Sequence, residues 1–488
     1  MSDYLLNYGL LSEYCFSISV LRFFLIFSSL DYNNRKKIYF CGRLLTHNNT
    51  ITMNNNTKIN FVSAEEAVKV IKSGDHVHLS AIGNAPQVLI KAMCERGRRG
   101  ELKDVHIHHF HTEGEAPYSA PEFEGVFQHD GFFVGANTRR NVQAGYADYI
   151  PVFLGEAARL YREGYLPCNV AMIQVCPPDE HGFVSLGASV DACLAAMEVA
   201  DCVIAVVNSN APRAFGQAMI HMSRINIFVQ DDSPLIEKFY EEPSETDLAI
   251  GRHCAELIED GACLQLGIGS LPNATLACLG NHKDLGIHTE MFADGVLRLV
   301  EKGVITGANK ALDRGKIVST FLLGSNNVYK FVDNNPQVLM QDVAYTNDPF
   351  IIAQQPKMTA INSAIEIDLT GQVCADSIGT KQFSGAGGQI DFIYGASRAK
   401  GGKAIIAMPS MTKKGVSKIV PTLTPGASVV TTRFHIHWFV TEFGAVNLYG
   451  RTMQERAKLI TSVAHPSVQE ELDRAAFERF GPHYHFGK

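Results

Sequence analysis

The residues best suited to chemistry lie in one loop, Gly286-Ile-His-Thr-Glu290-Met-Phe-Ala-Asp-Gly295. Glu290 follows the short apolar run Leu285 to Ile287, which reads as a strand. In α/β folds chemistry collects outside the carboxyl ends of the strands. An ionised carboxylate needs no separate base at neutral pH, because its unperturbed pKa is about 4.3. It can act as a nucleophile toward an acyl thioester and form a covalent intermediate. An arbitrary loop glutamate is more often a solvated surface group, so this reading depends on its neighbours.

Three glycine clusters supply candidates. Gly267-Ile268-Gly269-Ser270-Leu271-Pro-Asn273 lies between a strand and a helix. Glycine lets backbone approach a ligand closely, and helix N-terminal amides favour anions. A tight strand–helix turn requires glycine in any case, and G-x-G-x-x-G is absent, so a nicotinamide dinucleotide is not implied. Ser384-Gly-Ala-Gly387-Gly388-Gln389 places three glycines in four residues. It reads as an oxyanion hole, where one well-placed donor lowers a barrier by about 2.7–4 kcal/mol, or as a plain surface loop. Lys400-Gly-Gly-Lys403 suits a phosphate-rich ligand or a solvated turn. The run His106-Ile-His-His-Phe-His111 alternates along a strand and lacks converging ligands, so no metal site is assigned. His435 and His437 likewise read as strand residues in packing roles.

The elements that position these groups follow from periodicity. Ser63-Ala-Glu-Glu66 is a capping box, followed by Ala64, Ala67, Val68 and Ile71 at helical spacing. His76 to Ser80 reads as a strand, and Pro86 opens a helix. The same order returns after residue 244: a helix over Thr246 to Ile258, a strand over Ala262 to Leu266, a glycine turn, and a helix near Pro272. Buried strands are expected at Val170 to Val175, Cys202 to Val207 and Ala404 to Ala407. The tail from Thr452 to Arg479 reads as helical with a break at His465-Pro466. Short apolar runs alternating with helices predict an α/β fold of two tandem open α/β/α domains. Their sheets are expected to be largely parallel. The expected boundaries are 53–238 and 239–488.

Composition sets limits. The 488 residues are 46% hydrophobic and 19% charged, with a formal net charge of −7. No long basic run supports nucleic-acid binding. None of the eleven cysteines forms a C-x-x-C pair, which fits a reducing, cytoplasmic setting. The apolar stretch Cys15 to Leu30 is short for a membrane span and contains Arg22. Asp3 and Glu13 spoil the basic start of a signal peptide. Residues 1–52 therefore read as an extension outside the fold, with Met53 as the functional start; a membrane or organelle leader is the rival reading. No G-x-S-x-G elbow or Walker loop is present.

The chain from about Thr57 onward resembles the acetyl-CoA hydrolase/transferase family of class I CoA-transferases. It is most similar to the 4-hydroxybutyrate, or butyrate/acetate, branch. The stretches that carry the resemblance are Leu266-Gly-Ile-Gly-Ser-Leu-Pro-Asn273, Gly286-Ile-His-Thr-Glu-Met291, Ala360-Ile-Asn362-Ser-Ala-Ile-Glu-Ile-Asp-Leu-Thr-Gly-Gln-Val373, Gly385-Ala-Gly-Gly-Gln-Ile-Asp-Phe392 and Val440-Thr-Glu442-Phe-Gly444.

The resemblance implies that Glu290 becomes a glutamyl-CoA thioester and that Gly388, with Gly387, contacts the thioester oxygen and CoA. It implies two open α/β/α domains with the active-site cleft between them, and that Gly267, Ile268, Gly269, Ser270 and Leu271 line the CoA site. Asn362 and Glu442 would complete the pocket, and Lys403 would approach the CoA phosphates. CoA and acyl-CoA would be substrates, with no tightly bound cofactor or metal, and small carboxylic acids would be the partners of a cytoplasmic homodimer. The competing activities are an acyl-CoA hydrolase on the same scaffold and a succinyl-CoA:acetate CoA-transferase, where Arg139 or Arg140 would hold the second carboxylate. A non-catalytic CoA-binding subunit is the reading from another class, and the presence of Glu290 with the Gly385–Gly388 loop weighs against it.

Overall fold

The computed structural model describes residues 59–267, 269–481 and Tyr484. The 1–52 extension and Ile268 lie outside the described residues.

Two sheets carry the fold. The first has eight strands, all parallel. In spatial order they are Phe61–Val62, Ile227–Gln230, Cys202–Val207, Val170–Val175, His76–Leu79, Val105–His108, Phe127–Gly131 and Asp148–Tyr149. Val170–Val175 is buried at every residue, as a central parallel strand covered on both faces must be. This explains its unbroken apolar run.

The second sheet has nine strands. Its order is Gly444–Asn447, Trp438–Thr441, Lys403–Ala407, Thr359–Asn362, Cys263–Leu266, Gly286–His288, Ile317–Ser319, Val338–Met340 and Phe215–Gly216. Only the first pair is antiparallel. The last strand comes from the amino-terminal half of the chain and edges the second sheet beside Leu339 and Met340.

One apolar core runs across both halves. It includes Val175 and Val207 from the first sheet, Leu264 and Ile287 from the second, and Val190 and Phe321 between them. Phe321 has no exposed surface and is bridged to Ser189 across the junction. Burying such a side chain stabilises the fold by about 1.5–3 kcal/mol.

The helices end where local chemistry directs. Glu245–Leu257 starts at a capping box made by Ser244 and Asp247, which satisfies two otherwise orphaned amides. Met453–Ser462 and Pro466–Phe480 are capped by Thr452 and His465. Their separation follows from Pro466, which cannot continue a helix from the preceding turn. The strand expected to hold His435 and His437 begins later, at Trp438. His435 instead lies in a turn, where Thr432 Oγ1 meets its Nδ1 at 2.8 Å. That local hydrogen bond outcompetes the extended backbone.

Candidate functional site

Three neighbouring strands of the second sheet, Thr359–Asn362, Cys263–Leu266 and Gly286–His288, end side by side. Their carboxyl ends form the floor of a cleft of about 210 Å³. Glu290 lies two residues beyond the third strand and lines this cleft.

Main-chain hydrogen bonds hold Glu290 in place. Its carbonyl oxygen accepts from the Thr320 amide at 3.0 Å, the Phe321 amide at 3.2 Å and Ser319 Oγ at 2.9 Å. The preceding Thr289 donates its hydroxyl to Leu266 O at 3.2 Å and Met291 O at 3.0 Å. The Glu290 backbone is therefore pinned to both adjacent strands. Such preorganisation is what an attacking group requires.

The carboxylate faces a second set of groups. Asn347 Nδ2 donates to Glu290 Oε2 at 3.1 Å, and the Gly388 amide lies close enough to the same carboxylate to favour its charged form. Gly388 is the N-cap of the helix Gln389–Arg398, whose aligned dipoles favour negative charge at this end. A Cβ on Gly388 would collide with Glu290 Oε2 and Asn347 Nδ2. Burial pushes the Glu290 carboxyl up to about 7; Asp391 adds to the rise, while hydrogen bonds from Asn347 and Gly388 oppose it. Burial likewise raises Asp391 to about 7.

The amino-terminal half closes the cleft. Phe133 lines it and packs against Gly385 and Gly387. Tyr149 Oη accepts from the Ala386 amide at 3.3 Å, and the Leu154 amide donates to Gly387 O at 3.1 Å. The glycine loop is thus held from the other half of the chain.

The residues singled out from sequence separate into groups. Glu290, Gly387, Gly388, Asn362 and Gly267 all line the cleft. Asn362 Nδ2 donates to Gln265 Oε1 at 2.9 Å, so the two amides form a fixed pair on the floor. Gly269 has φ +118° and nothing near its would-be Cβ, which leaves open space before the helix Ser270–Cys278. Ser270 begins that helix, half-buried. Leu271 packs into the core instead of lining the cleft.

Glu442 is absent from the cleft lining. It accepts from the Ser410 amide at 2.9 Å and Ser410 Oγ at 2.6 Å. Lys403 opens its strand and pairs with Thr359, whereas Asn362 pairs with Ile406 further along. Lys403 therefore lies at the amino end of the sheet, away from the cleft, in an ion pair with Glu259. Arg139 stacks its guanidinium on the Phe383 ring at 3.8 Å and donates to Phe383 O; Arg140 is exposed.

Sequence reasoning did not single out Asn347, Asp391, Gln265 or Phe133. Asn347 stands before Asp348-Pro349, which signals only a helix start. Asp391 lies within the Gly385–Phe392 stretch, but an acidic residue in a first helical turn has an ordinary explanation in the helix dipole.

Comparison with known proteins agrees with the geometry. Residues 49–237 match the acetyl-CoA hydrolase/transferase N-terminal domain and residues 324–476 match its C-terminal domain. The chain is 47% identical over 420 residues to the succinyl-CoA:acetate/propanoyl-CoA:succinate CoA transferase of Fasciola hepatica, covering 86% of this chain and 87% of that protein. It is 44% identical over 424 residues to the 4-hydroxybutyrate coenzyme A transferase of Clostridium kluyveri, covering 87% and 98%. The crystal structure of 4-hydroxybutyrate CoA-transferase from Porphyromonas gingivalis superposes with a TM-score of 0.75 at 37% identity, over 86% of this chain and 98% of that one. The fold, the cleft and these relatives lead to one conclusion: the chain belongs to the acetyl-CoA hydrolase/transferase family.

Proposed function

We propose that this enzyme is a CoA-transferase that moves CoA from an acyl-CoA to a small carboxylic acid through a covalent intermediate on Glu290. The observation that carries the reading is a carboxylate lining a cleft, with a pinned backbone and the Asn347 amide donating to it.

Glu290 attacks the thioester carbonyl carbon. The C–S bond breaks and CoA leaves as the thiolate, giving an acyl-glutamyl anhydride. The thiolate then attacks the Glu290 carbonyl carbon, and the first acid departs as its carboxylate. In that step negative charge develops on the Glu290 carbonyl oxygen. Asn347 Nδ2 already donates to Glu290 Oε2 and the Gly388 amide lies beside the same carboxylate, so stabilising that oxygen would need little reorganisation. The acceptor carboxylate attacks the resulting thioester and runs the sequence in reverse, which predicts ping-pong kinetics. Water must stay out, because hydrolysis would discharge the intermediate; Phe133 and the glycine loop supply that cover.

Apart from Glu290, the described residues lining the cleft carry no charged side chain. Gln265, Asn362 and Gln389 offer neutral amides instead. This supports short monocarboxylates, including an ω-hydroxy acid, as acceptors. CoA would enter as a dissociable substrate across Gly267 and Gly269, where the backbone leaves room. The proposal extends to a cytoplasmic homodimer, as the family resemblance implies. No helix among the described residues is long and apolar enough to cross a membrane.

The test is intact-mass analysis after incubation with butyryl-CoA or acetyl-CoA, beside Glu290→Ala. The expected result is a CoA-sized adduct on the parent alone, trapped by borohydride reduction to the alcohol. Acyl-CoA consumption with no adduct on either protein would overturn the covalent route.

A further inference from the structure

The chemistry above leaves one buried carboxylate beside the nucleophile unused. Asp391 is 5% exposed and sits in the first turn of the helix that Gly388 caps. Its Oδ2 accepts from the Gly155 amide at 2.9 Å and from Asn347 Nδ2 at 3.2 Å. The same Nδ2 donates to Glu290 Oε2 at 3.1 Å. An amide nitrogen has two hydrogens, and here each goes to a different carboxylate. Asn347 Oδ1 is buried without a partner among the described residues. If the amide turned over, that oxygen would face two carboxylates, and Glu290 would lose its donor.

The amino-terminal half takes part in the same link. The Leu154 and Gly155 amides, at the start of the helix Leu154–Arg162, bind Gly387 O and Asp391 in succession. A Cβ on Gly155 would press on the Asn347 backbone and on Asp391 Oδ2. The two halves therefore meet through Asp391, one hydrogen bond away from the donor that serves Glu290.

We infer that Asp391 is a positioning residue that aims the Asn347 amide at Glu290 and ties the nucleophile's donor to the amino-terminal half. The inference rests on Glu290 being the nucleophile. Charge gives it a readable signature. Asp391 is the charged group that adds to the rise of Glu290, and Glu156 and Asp348 are the charged neighbours that raise Asp391. A charge on Asp391 therefore opposes ionisation of Glu290. Only ionised Glu290 attacks, so adduct formation rises with pH through this range.

The experiment is the pH dependence of CoA-adduct formation on the full chain, quenched and read by intact mass, for the parent, Asp391→Asn and Asp391→Ala. The Asp391→Asn variant keeps an acceptor oxygen for Asn347 and Gly155 but has no charge. Its rising limb should move about one pH unit lower, with the plateau rate retained. The Asp391→Ala variant frees the Asn347 amide, and its plateau should fall about 100-fold with KM for the acyl-CoA unchanged. An Asp391→Asn profile that superimposes on the parent's, or an Asp391→Ala variant that keeps the parental plateau, would overturn the inference. If Asp391→Ala does not fold, the near-isosteric Asp391→Asn variant decides alone. A parent that forms no adduct at any pH sinks the nucleophile reading and this inference with it; a parent adduct with unmoved variants sinks this inference only.

Discussion

Glu290 Oε2 occupies the space where a side chain on Gly388 would begin. The amide of Gly388 can approach the carboxylate only because that residue has no Cβ. Gly388→Ala should therefore fold yet displace Glu290, Asn347 or both. Loss of one such donor costs about 10²–10³-fold in kcat, and adduct formation should fall by that amount. Single-turnover adduct kinetics alongside thermal melting check this. A variant that melts like the parent and reacts at the parental rate would mean that the Gly388 amide does not serve the reaction.

Asn347→Ala removes the other donor to Glu290. It also strips a hydrogen bond from Asp391, leaving a buried carboxyl with the Gly155 amide as its remaining donor in this group. The expected loss is again about 10²–10³-fold in kcat. Little change in KM is expected, because Asn347 does not line the cleft that the acyl group enters. Steady-state kinetics separate the two constants; a rise in KM at constant kcat would place Asn347 in binding instead.

The raised Glu290 carboxyl has a stability consequence. Its folded value of about 7 lies above the unfolded carboxylate range, so the folded state binds this proton more tightly. That contribution is fully present below the unfolded value and is lost as pH rises through about 7, where the carboxylate ionises against its desolvation. Glu290→Gln has no such charge. It should be more stable than the parent at about pH 8, by at most about 3 kcal/mol, and the advantage should vanish below about pH 4.5. Denaturant melts of both proteins at the two pH values read this directly. Equal stability at the higher pH would mean that Glu290 is not raised.

Much of this site was legible because strand ends punctuate the sequence. Val170–Val175 and Cys202–Val207 stand out as unbroken apolar runs between polar residues, since a central parallel strand has no solvent face to mark by alternation. Glu290 was legible because a lone carboxylate follows such a run. Asn347 was not, because its role arises only when a turn 57 residues away in sequence meets the Glu290 loop. Phe133 was hidden for a related reason: a phenylalanine in an apolar stretch reads as core, and only the meeting of the two halves shows it facing the glycine loop. The opposite error occurred at Lys403. Lysines around glycine suit phosphates, but position along the strand decides which end of the sheet they serve.

On the proposed reading, Phe133 would limit the size of the bound acyl group. Its ring lines the cleft from the amino-terminal half and packs on Phe110 at 5.0 Å between centroids. Phe133→Ala should enlarge the cleft next to Glu290. Relative kcat/KM should then shift toward branched or cyclic acids over acetate by about 10–200-fold, the range for methylene-sized changes in an apolar pocket. Water should also enter more readily, so acyl-CoA loss without acceptor should rise. Competition assays with paired acids measure the first effect and acceptor-free CoA release the second. An unchanged acid preference would show that the acyl group lies elsewhere.

Lys403 provides the sharpest contrast between sequence expectation and structure. Its ammonium pairs with Glu259, as does that of Lys357. The two lysines hold the Glu259 carboxyl down to about 2. This cluster lies at the amino ends of the strands, while the proposed CoA chemistry lies at the carboxyl ends. Lys403→Met should therefore leave KM for acyl-CoA and kcat at parental values. Its effect on stability should be small, because a partly exposed ion pair contributes about 0–1 kcal/mol and Lys357 remains to pair with Glu259. Kinetics with acyl-CoA, and with a dephospho analogue as a comparison, decide the matter. If Lys403→Met raised KM for acyl-CoA but left the dephospho analogue untouched, CoA would have to reach round to this edge of the sheet, and the path across Gly267 and Gly269 would be wrong.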